Sequence, residues 1–457
     1  MNNYGSITDI TGIKVGHYTD LVNGTGCTAL ISEKEMTAGL EIRGAAPGTK
    51  ETALLDPLAS HKWINGILLS GGSAFGLGAS NGVMQFLEEK KIGIKYGRST
   101  IPIVPSAVVF DLGFINHKIR PNVESGYIAA STASKQFSTG NFGAGTGCTV
   151  GKILGKKFSI KGGIGTSCIK ISSGIKVASL IVVNAFGSIF DSKKGNIIAG
   201  PKSDHGFLDT NDILIKNPPK KRKTFFTNTT IGIVATDAKL DKIQATRLAM
   251  AGQDGIALSV RPSHTENDGD TIFGIATNTS KKDFNIDEIH SATLESVNLA
   301  IKNAIENAET LGNVDSYSKV KSEINWVDYY YRNKIENSLI MKILITNDDG
   351  VESEGIWALA KSVANLGQVT IVAPKHNRSG TSGSITFLKS LQVEKQKNRI
   401  EGVECVSVDG TPADSAIIAL KEICKNPNIV LSGINNGFNL SRNILISGTI
   451  GAAMIAN

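Results

Sequence analysis

The apolar patterning of this chain breaks off near residue 315 and starts afresh at Met341, where the residues read MKILITNDDG. A single core cannot run through such a break, so at least two folding units are required, and a length of 457 residues demands the same. The intervening Asp315 to Ile340 is polar and carries an aromatic group, Trp326, Tyr329, Tyr330 and Tyr331, expected to dock a linker helix rather than to bind a base. The expected division is residues 1–314, a linker 315–340 and residues 341–457. The decapeptide also proposes a metal site. Two adjacent aspartates at the carboxyl end of a buried strand are costly unless a cation or substrate neutralises them.

Composition narrows the class. Hydrophobic residues make up 41% and charged residues 19%, as in globular proteins, and 49 glycines imply many tight turns and close backbone approaches. A formal charge of +7 is mild for this length. The one dense basic run, Lys220, Lys221, Arg222 and Lys223, follows Pro218 and Pro219 and reads as a solvated loop, so no nucleic-acid polymer is expected as partner. Five cysteines, Cys27, Cys148, Cys168, Cys405 and Cys424, are scattered with no C-x-x-C pair, which argues against a disulfide framework or zinc knuckle. The first twenty residues lack a basic and an apolar targeting region, and no stretch reaches membrane-spanning length, so a cytoplasmic protein without membrane contact is expected.

From Ile7 to about Gly312, short apolar runs alternate with glycine-rich turns, as in one large α/β domain. Its last helix is marked by Ile286, Ile289, Leu294, Val297, Ile301, Ile305 and Ala308, with Gly312 as the stop. After Met341 the pattern predicts a strand at Lys342 to Thr346, a helix near Gly355 to Asn365, and strands at Val369 to Ala373 and Ile429 to Ser432. Strands alternating with helices predict a doubly wound parallel sheet.

The β-type segment Thr227 to Asp237, TNTTIGIVATD, begins with hydroxyl residues directly after the basic loop. A strand that starts with Thr suits an N-terminal nucleophile. The hydroxyl attacks the preceding carbonyl, the peptide bond breaks, and the freed α-amine, with an ordinary pKa near roughly 8, becomes the base for the same hydroxyl. By itself Asn228–Thr229 is a common dipeptide and a plain strand start stays open.

The segments ITDITGIKVGH, RGAAPGTKET, LLSGGSAFGL, VPSAVVFDLG, GAGTGCTVGK, VVNAFG and HTENDGDTIFG, in that order, resemble the L-aminopeptidase/D-esterase family of self-processing hydrolases, which includes β-aminopeptidases and nylon-oligomer hydrolases. The resemblance implies a layered αββα-type domain that acts on a small amide, peptide or ester without a cofactor. It places Thr229 at the nucleophile and Asn228 before the cleavage point. Lys152 and Asn184 fall at positions that stabilise charge on the tetrahedral intermediate. Asp268 and Asp270 match the pair that orients the nucleophile, and two-residue spacing on a strand would put both on one face. Phe110 stands where some members have tyrosine, and a phenyl ring cannot donate a hydrogen bond. Other readings of these residues fare worse. Gly151 and Lys152 mimic a phosphate loop, but Thr146 and Ile153 break that pattern. Asp268, Gly269 and Asp270 could open a calcium loop, but Ile272 and Phe273 follow at once. His264 is expected to be structural, in a strand before the acidic pair.

The second segment carries ILITNDDG, VAPKHNRSG, DGTPAD, LSGINNGFN and SGTIGAAM, and resembles the survival-protein-E nucleotidases. That implies a truncated Rossmann-like, doubly wound domain that removes phosphate from a nucleoside monophosphate. Its ligands for a divalent cation would be Asp348, Asp349, Ser379 and Asn435, an all-oxygen set suited to magnesium or manganese. The 432–437 loop, Ser447 and Thr449 would contact phosphate. Ile446 stands where tyrosine is usual, and Asn457 falls about halfway along such a domain. Exposed apolar faces would then favour a homo-oligomer.

The leading expectation is a self-cleaving aminopeptidase or amidase carrying a partial nucleotidase. The alternatives are a nucleotidase with a silent first domain, a non-catalytic nucleotide-binding module at the carboxy terminus, or two reading frames joined by a lost stop.

Overall fold

The computed structural model describes residues 4–203, 206–219, 228–323, 341–434 and 447–456. The basic run at 220–223, the aromatic group at 326–331, Asn435 and Ile446 lie outside the described residues. The chain forms two compact units, Met1–Ile324 and Asn325–Asn457.

In the first unit the strands of the main sheet are β1 (Ile13–Asp20), β2 (Thr25–Ile42), β3 (Thr49–Lys50), β4 (Trp63–Ser70), β5 (Ser106–Val108), β6 (Gly163–Lys170), β7 (Lys176–Asn184), β8 (Thr229–Thr236) and β9 (Thr271–Ala276). They build one sheet in the order β6-β7-β8-β9-β2-β4-β5-β3, with β1 paired to β2. The long β2 joins its halves. Residues 25–32 pair with β1, residues 37–42 pair with β9, and exposed Glu33, Lys34 and Glu35 mark the passage between them.

Alternation within each strand then decides the layers. In β7, Ala178, Leu180 and Val182 join Ile231, Ile233 and Phe273 in a core that also takes Val15, Leu30, Ile67 and Leu69 from the other half. The opposite side of β7, with Val177, Ile181 and Val183, packs under helices α3 (Lys242–Ser259) and α4 (Ile286–Glu306). Cys27, Ala29 and Leu68 face α1 (Ser80–Glu89) and α2 (Val123–Ser131) in the same way. The result is helix, sheet, sheet, helix. With both faces covered, β7 and β8 read as unbroken apolar runs rather than as polar–apolar alternation. The helix α3 sits unusually low because Gly39 and Gly274 are cross-strand partners beneath it. A Cβ on Gly274 would lie 2.1 Å from the Ala245 carbonyl oxygen, and one on Gly39 2.2 Å from the Thr246 nitrogen.

Two expectations about element ends are corrected. The last large helix stops at Glu306 with Asn307 as its cap, and Gly312 lies in a later turn with φ +56°. Beyond it, α5 (Tyr317–Glu323) is still part of the first unit, with Tyr317 stacked on Phe207 and Val320 in the helix-facing core.

In the second unit the strands are β10 (Lys342–Thr346), β11 (Gln368–Pro374), β12 (Val393–Lys395), β13 (Glu404–Val408) and β14 (Ile429–Ser432), ordered β12-β13-β11-β10-β14. All neighbours are parallel except the β12 edge. Ile343 and Ile345 pack on Ile356 and Trp357 of α6 (Glu354–Val363), while Leu344 and Val372 face Ala419 and Cys424 beyond α7 (Pro412–Ile418). The expected strands and α6 are present. β13 and β12 went unread because they are short and flanked by polar turns.

Candidate functional sites

Thr229 is the first residue of β8 and lies opposite Asn184, the last residue of β7. It is 5% exposed, and its Oγ1 donates to the carbonyl oxygen of Asn228, the residue it would attack. A strand start is well suited to this task. Its backbone is held by the ladder to β7, while Asn228 before it makes only an isolated bridge to Asp268.

The acidic pair sits just before β9 rather than on a strand, which corrects the one-face expectation. Asp268 is bridged to Asn228, and Asp270 follows in extended chain. The two carboxylates therefore have different duties. Asp270 Oδ1 accepts from the Thr230 nitrogen at 2.6 Å, so it fixes the residue after Thr229. Asp268 Oδ2 accepts from the nitrogen and hydroxyl of Thr265 at 3.0 and 2.6 Å. Burial, then the neighbouring Asp270 charge, raises the Asp268 pKa to about 6.

Lys152 follows Gly151, whose φ of +67° turns the chain sharply; this is the tight turn rather than a phosphate loop. Its Nζ donates to the carbonyl oxygen and Oδ1 of Asn184 at 2.9 and 2.7 Å. Burial lowers the Lys152 pKa to about 7, against the opposing pull of Cys148, Asp268 and Asp111. Asn184 Nδ2 donates to the Phe110 carbonyl oxygen at 3.1 Å, and Asn184 Oδ1 also accepts from the Thr149 nitrogen at 3.0 Å. Phe110 thus contributes a backbone oxygen, a contact independent of its ring. All five expected residues converge on the β7–β8 edge, with Asn184 linking Lys152 to Thr229.

Two neighbours, Gln253 and Lys161, escaped the sequence reading, and a third, His264, is expected from sequence to be structural but in a strand. His264 is in a bend with φ +55°, not in a strand, and its Nδ1 and backbone nitrogen lie 2.9 and 3.1 Å from Asp270 Oδ2. Its place six residues before Asp270 in HTENDGD was the available signal. Gln253 of α3 donates to the Asp270 carbonyl oxygen at 3.0 Å. Lys161, fully buried, donates to the carbonyl oxygens of Gly145, Cys148 and Gly162 and so braces the loop leading to Lys152. Burial lowers its pKa to about 8.

In the second unit, Asp348 and Asp349 follow β10, which has β11 on one side and β14 on the other. This is the point where the strand order of a parallel sheet reverses and ligands gather. Asp348 is 2% exposed and accepts from the hydroxyl of Thr449, in α8 (Gly448–Ala456). Gly448 lets α8 close in, since a Cβ there would lie 2.7 Å from Asp348 Cβ. Asn377 joins the remaining pieces: its Nδ2 donates to Asp349 Oδ1 at 3.1 Å and its Oδ1 accepts from the Ser379 nitrogen at 2.9 Å. Asp348, Asp349 and Ser379 are thereby brought around one strand end. Among the described residues no three His, Cys, Asp or Glu side chains cluster as a metal site, so a cation here would rest on two carboxylates and neutral oxygens. No helix among the described residues is long and apolar enough to cross a membrane.

Residues 5–318 match the family model of Peptidase family S58, and residues 343–457 match that of Survival protein SurE. An uncharacterized aminopeptidase of Mycobacterium leprae is 39% identical over 300 residues, covering 60% of this chain and 78% of that protein. Its counterpart in Mycobacterium tuberculosis is 38% identical over 291 residues, covering 81% of its length. The 5'-nucleotidase SurE of Dehalococcoides mccartyi is 44% identical over 115 residues, which are 25% of this chain and 43% of that protein. The chain thus spans less than half of this nucleotidase. Among solved structures, a Burkholderia sp. β-aminopeptidase superposes with a TM-score of 0.51 at 20% identity, covering 71% of this chain and 96% of that one. The L-aminopeptidase D-Ala-esterase/amidase of Ochrobactrum anthropi, described as a variant of the Ntn hydrolase fold, gives 0.52 at 18% identity, covering 72% and 96%. These two likenesses speak for the fold alone. With a family model running through more than half of the chain and relatives matched over most of their own length, this protein belongs to Peptidase family S58 and is a hydrolase, with part of a SurE domain behind it.

Proposed function

We propose that the chain is the precursor of an aminopeptidase or amidase for small peptides, amides or esters, and that it cleaves its own Asn228–Thr229 bond. The observation that carries this reading is the placement of the Thr229 hydroxyl on the Asn228 carbonyl, at a strand start flanked by Asn184 and the Asp268–Asp270 pair. In the proposed sequence Thr229 Oγ adds to the Asn228 carbonyl carbon and the Asn228–Thr229 C–N bond breaks, leaving an ester. Water then hydrolyses the ester to the Asn228 carboxylate and a free Thr229 amine. That amine takes the hydroxyl proton in later turnovers, when the substrate carbonyl replaces that of Asn228. Lys152, held against Asn184, supplies positive charge for the tetrahedral oxyanion in both stages. Asn184 is assigned the holding of Lys152, because its own amide is directed at Phe110. Asp270 keeps β8 in place through Thr230, and no cofactor is needed.

For the second unit, 341–457, the proposal is a partial nucleoside monophosphate phosphatase site. Asp348 and Asp349, with Ser379 and Asn435, would hold magnesium or manganese, which when bound polarises phosphoryl oxygens. The donor set fits: two adjacent carboxylates, one of them buried, at a strand end where α8 closes in. Thr449 orients Asp348, and Asn377 ties Asp349 to the Ser379 loop. A cytoplasmic homo-oligomer remains part of the proposal.

Amino-terminal sequencing tests the first reading. Purified wild-type protein should yield a chain beginning Thr-Thr-Ile, and Thr229→Ala should remain one chain and lack amidase activity. Wild-type protein that shows only Met1 while hydrolysing amides would sink it.

A further inference from the structure

The outward side of the first unit carries a second, smaller site. Between α3 and α4 lies a cavity of about 170 Å³ lined by Arg43, Arg247, Met250, Asp254, His290 and Leu294. It is smaller than the roughly 300 Å³ at which pockets for drug-sized ligands begin. Its charges are unevenly matched. Arg43 Nη1 pairs with Asp254 at 2.5 Å and its Nε with Glu41 at 3.2 Å, so the only carboxylate lining the cavity is already neutralised. Among the described residues Arg247 has no hydrogen-bond or ion-pair partner, and the Nε2 of His290 is buried without one. A buried ring nitrogen left so is unfavourable, and a ligand atom that pairs with it removes the deficit. Burial first, then the Arg247 charge, lowers the His290 pKa, while Asp287 and Asp254 oppose that shift. A cation would meet two guanidinium groups, whereas a small anion would satisfy both Arg247 and His290.

We infer that this cavity binds a small oxyanion, a phosphate or a carboxylate, with Arg247 as the bidentate partner and His290 Nε2–H as the second donor. Met250 and Leu294 form its apolar wall. The site is separate from Thr229 and does not depend on the cleavage reading. It does share Arg43 with the acidic pair, since the Arg43 nitrogen donates to the Asp270 carbonyl oxygen at 3.1 Å.

The test is a titration of the full-length protein with sodium phosphate, and separately with sodium acetate, followed by calorimetry and thermal unfolding. EDTA is present throughout so that cation-dependent binding near Asp348 does not contribute. Saturable binding of either anion to wild-type protein is expected, weakened about tenfold or more in Arg247→Gln, as for one lost charge-assisted contact. Arg247 is exposed, so this variant should fold; His290→Phe, which fills the site, gives a second arm and should also lose binding. Phosphate binding alone or acetate binding alone each supports the inference and names the ligand class. Equal titrations in wild type and Arg247→Gln, or a response reproduced by sodium chloride of the same ionic strength, would overturn it.

Discussion

His264 shows how one side chain can brace the proposed nucleophile Thr229 without touching it. Its ring and backbone nitrogens hold one oxygen of Asp270 while Thr230 takes the other, so Asp270 acts as a two-sided brace. His264→Ala should leave that buried carboxylate short of a partner and destabilise the unit by about 1–3 kcal/mol. Self-cleavage should slow by about tenfold or more, with Asn, which can still donate, intermediate; an unchanged cleavage rate on a gel time course would remove His264 from the positioning role. A second residue-scale prediction concerns pH, measured by urea unfolding of Thr229→Ala. Asp268 and Asp111, each raised to about 6 with burial as the first cause, bind their protons more tightly folded than unfolded. Their contribution is therefore fully present below the ordinary carboxylate range and is lost as pH rises through about 6, amounting to about 2–3 kcal/mol per group. Lys152 and Lys161, lowered to about 7 and about 8 by burial, act in the opposite direction above that range, where the unfolded chain holds the extra proton and stability rises with pH. Asp268→Asn should flatten part of the acidic limb, leaving the share of Asp111, and should lower the Lys152 pKa further by removing one of the charges that raise it.

At the scale of elements, Gly39 and Gly274 set how closely α3 approaches the sheet. Gly274→Val would push side-chain atoms into the Ala245–Ala249 backbone and should cost about 3 kcal/mol or more, seen as a lowered urea midpoint. In the second unit the capping box of Thr411 and Asp414 starts α7, and Thr411→Ala should cost about 1 kcal/mol. Element types were largely readable from sequence: β10, β14 and α6 each had a clean period or apolar run. Element ends were not. The helix ending at Glu306 continued in pattern to Ala308, and only the Asn307 cap geometry stops it. The Asp268–Asp270 segment carried the residue spacing of a strand, yet the Thr265 turn and its bond to Asp268 hold it outside one.

For the whole molecule, the proposed cut falls beside the central strands of a sheet in which β8 and β9 of one fragment lie between β7 and β2 of the other. β7 precedes the cut and β8 follows it, and they share a ladder from Val177–Thr236 to Asn184–Thr229 and a common core. The fragments should copurify under native conditions through an amino-terminal tag and separate only in denaturant. The segment around Asp348 would travel with the Thr229 fragment. Magnesium or manganese should raise the second unit's unfolding temperature in wild type and not in Asp348→Asn; an equal rise in both would place the cation elsewhere. Sequence alone determined the break into two units, the α/β character of each, and which residues are proposed to carry the chemistry, because period, apolar runs and ordered motifs are local properties of a chain. Tertiary structure decided the rest: that Asn184 faces Thr229, that Phe110 serves by its carbonyl, and that His264 and Lys161 are braces. These are pairings between residues far apart in sequence or set by the path of a turn, and only the closed sheet and its packed faces bring them within hydrogen-bonding reach.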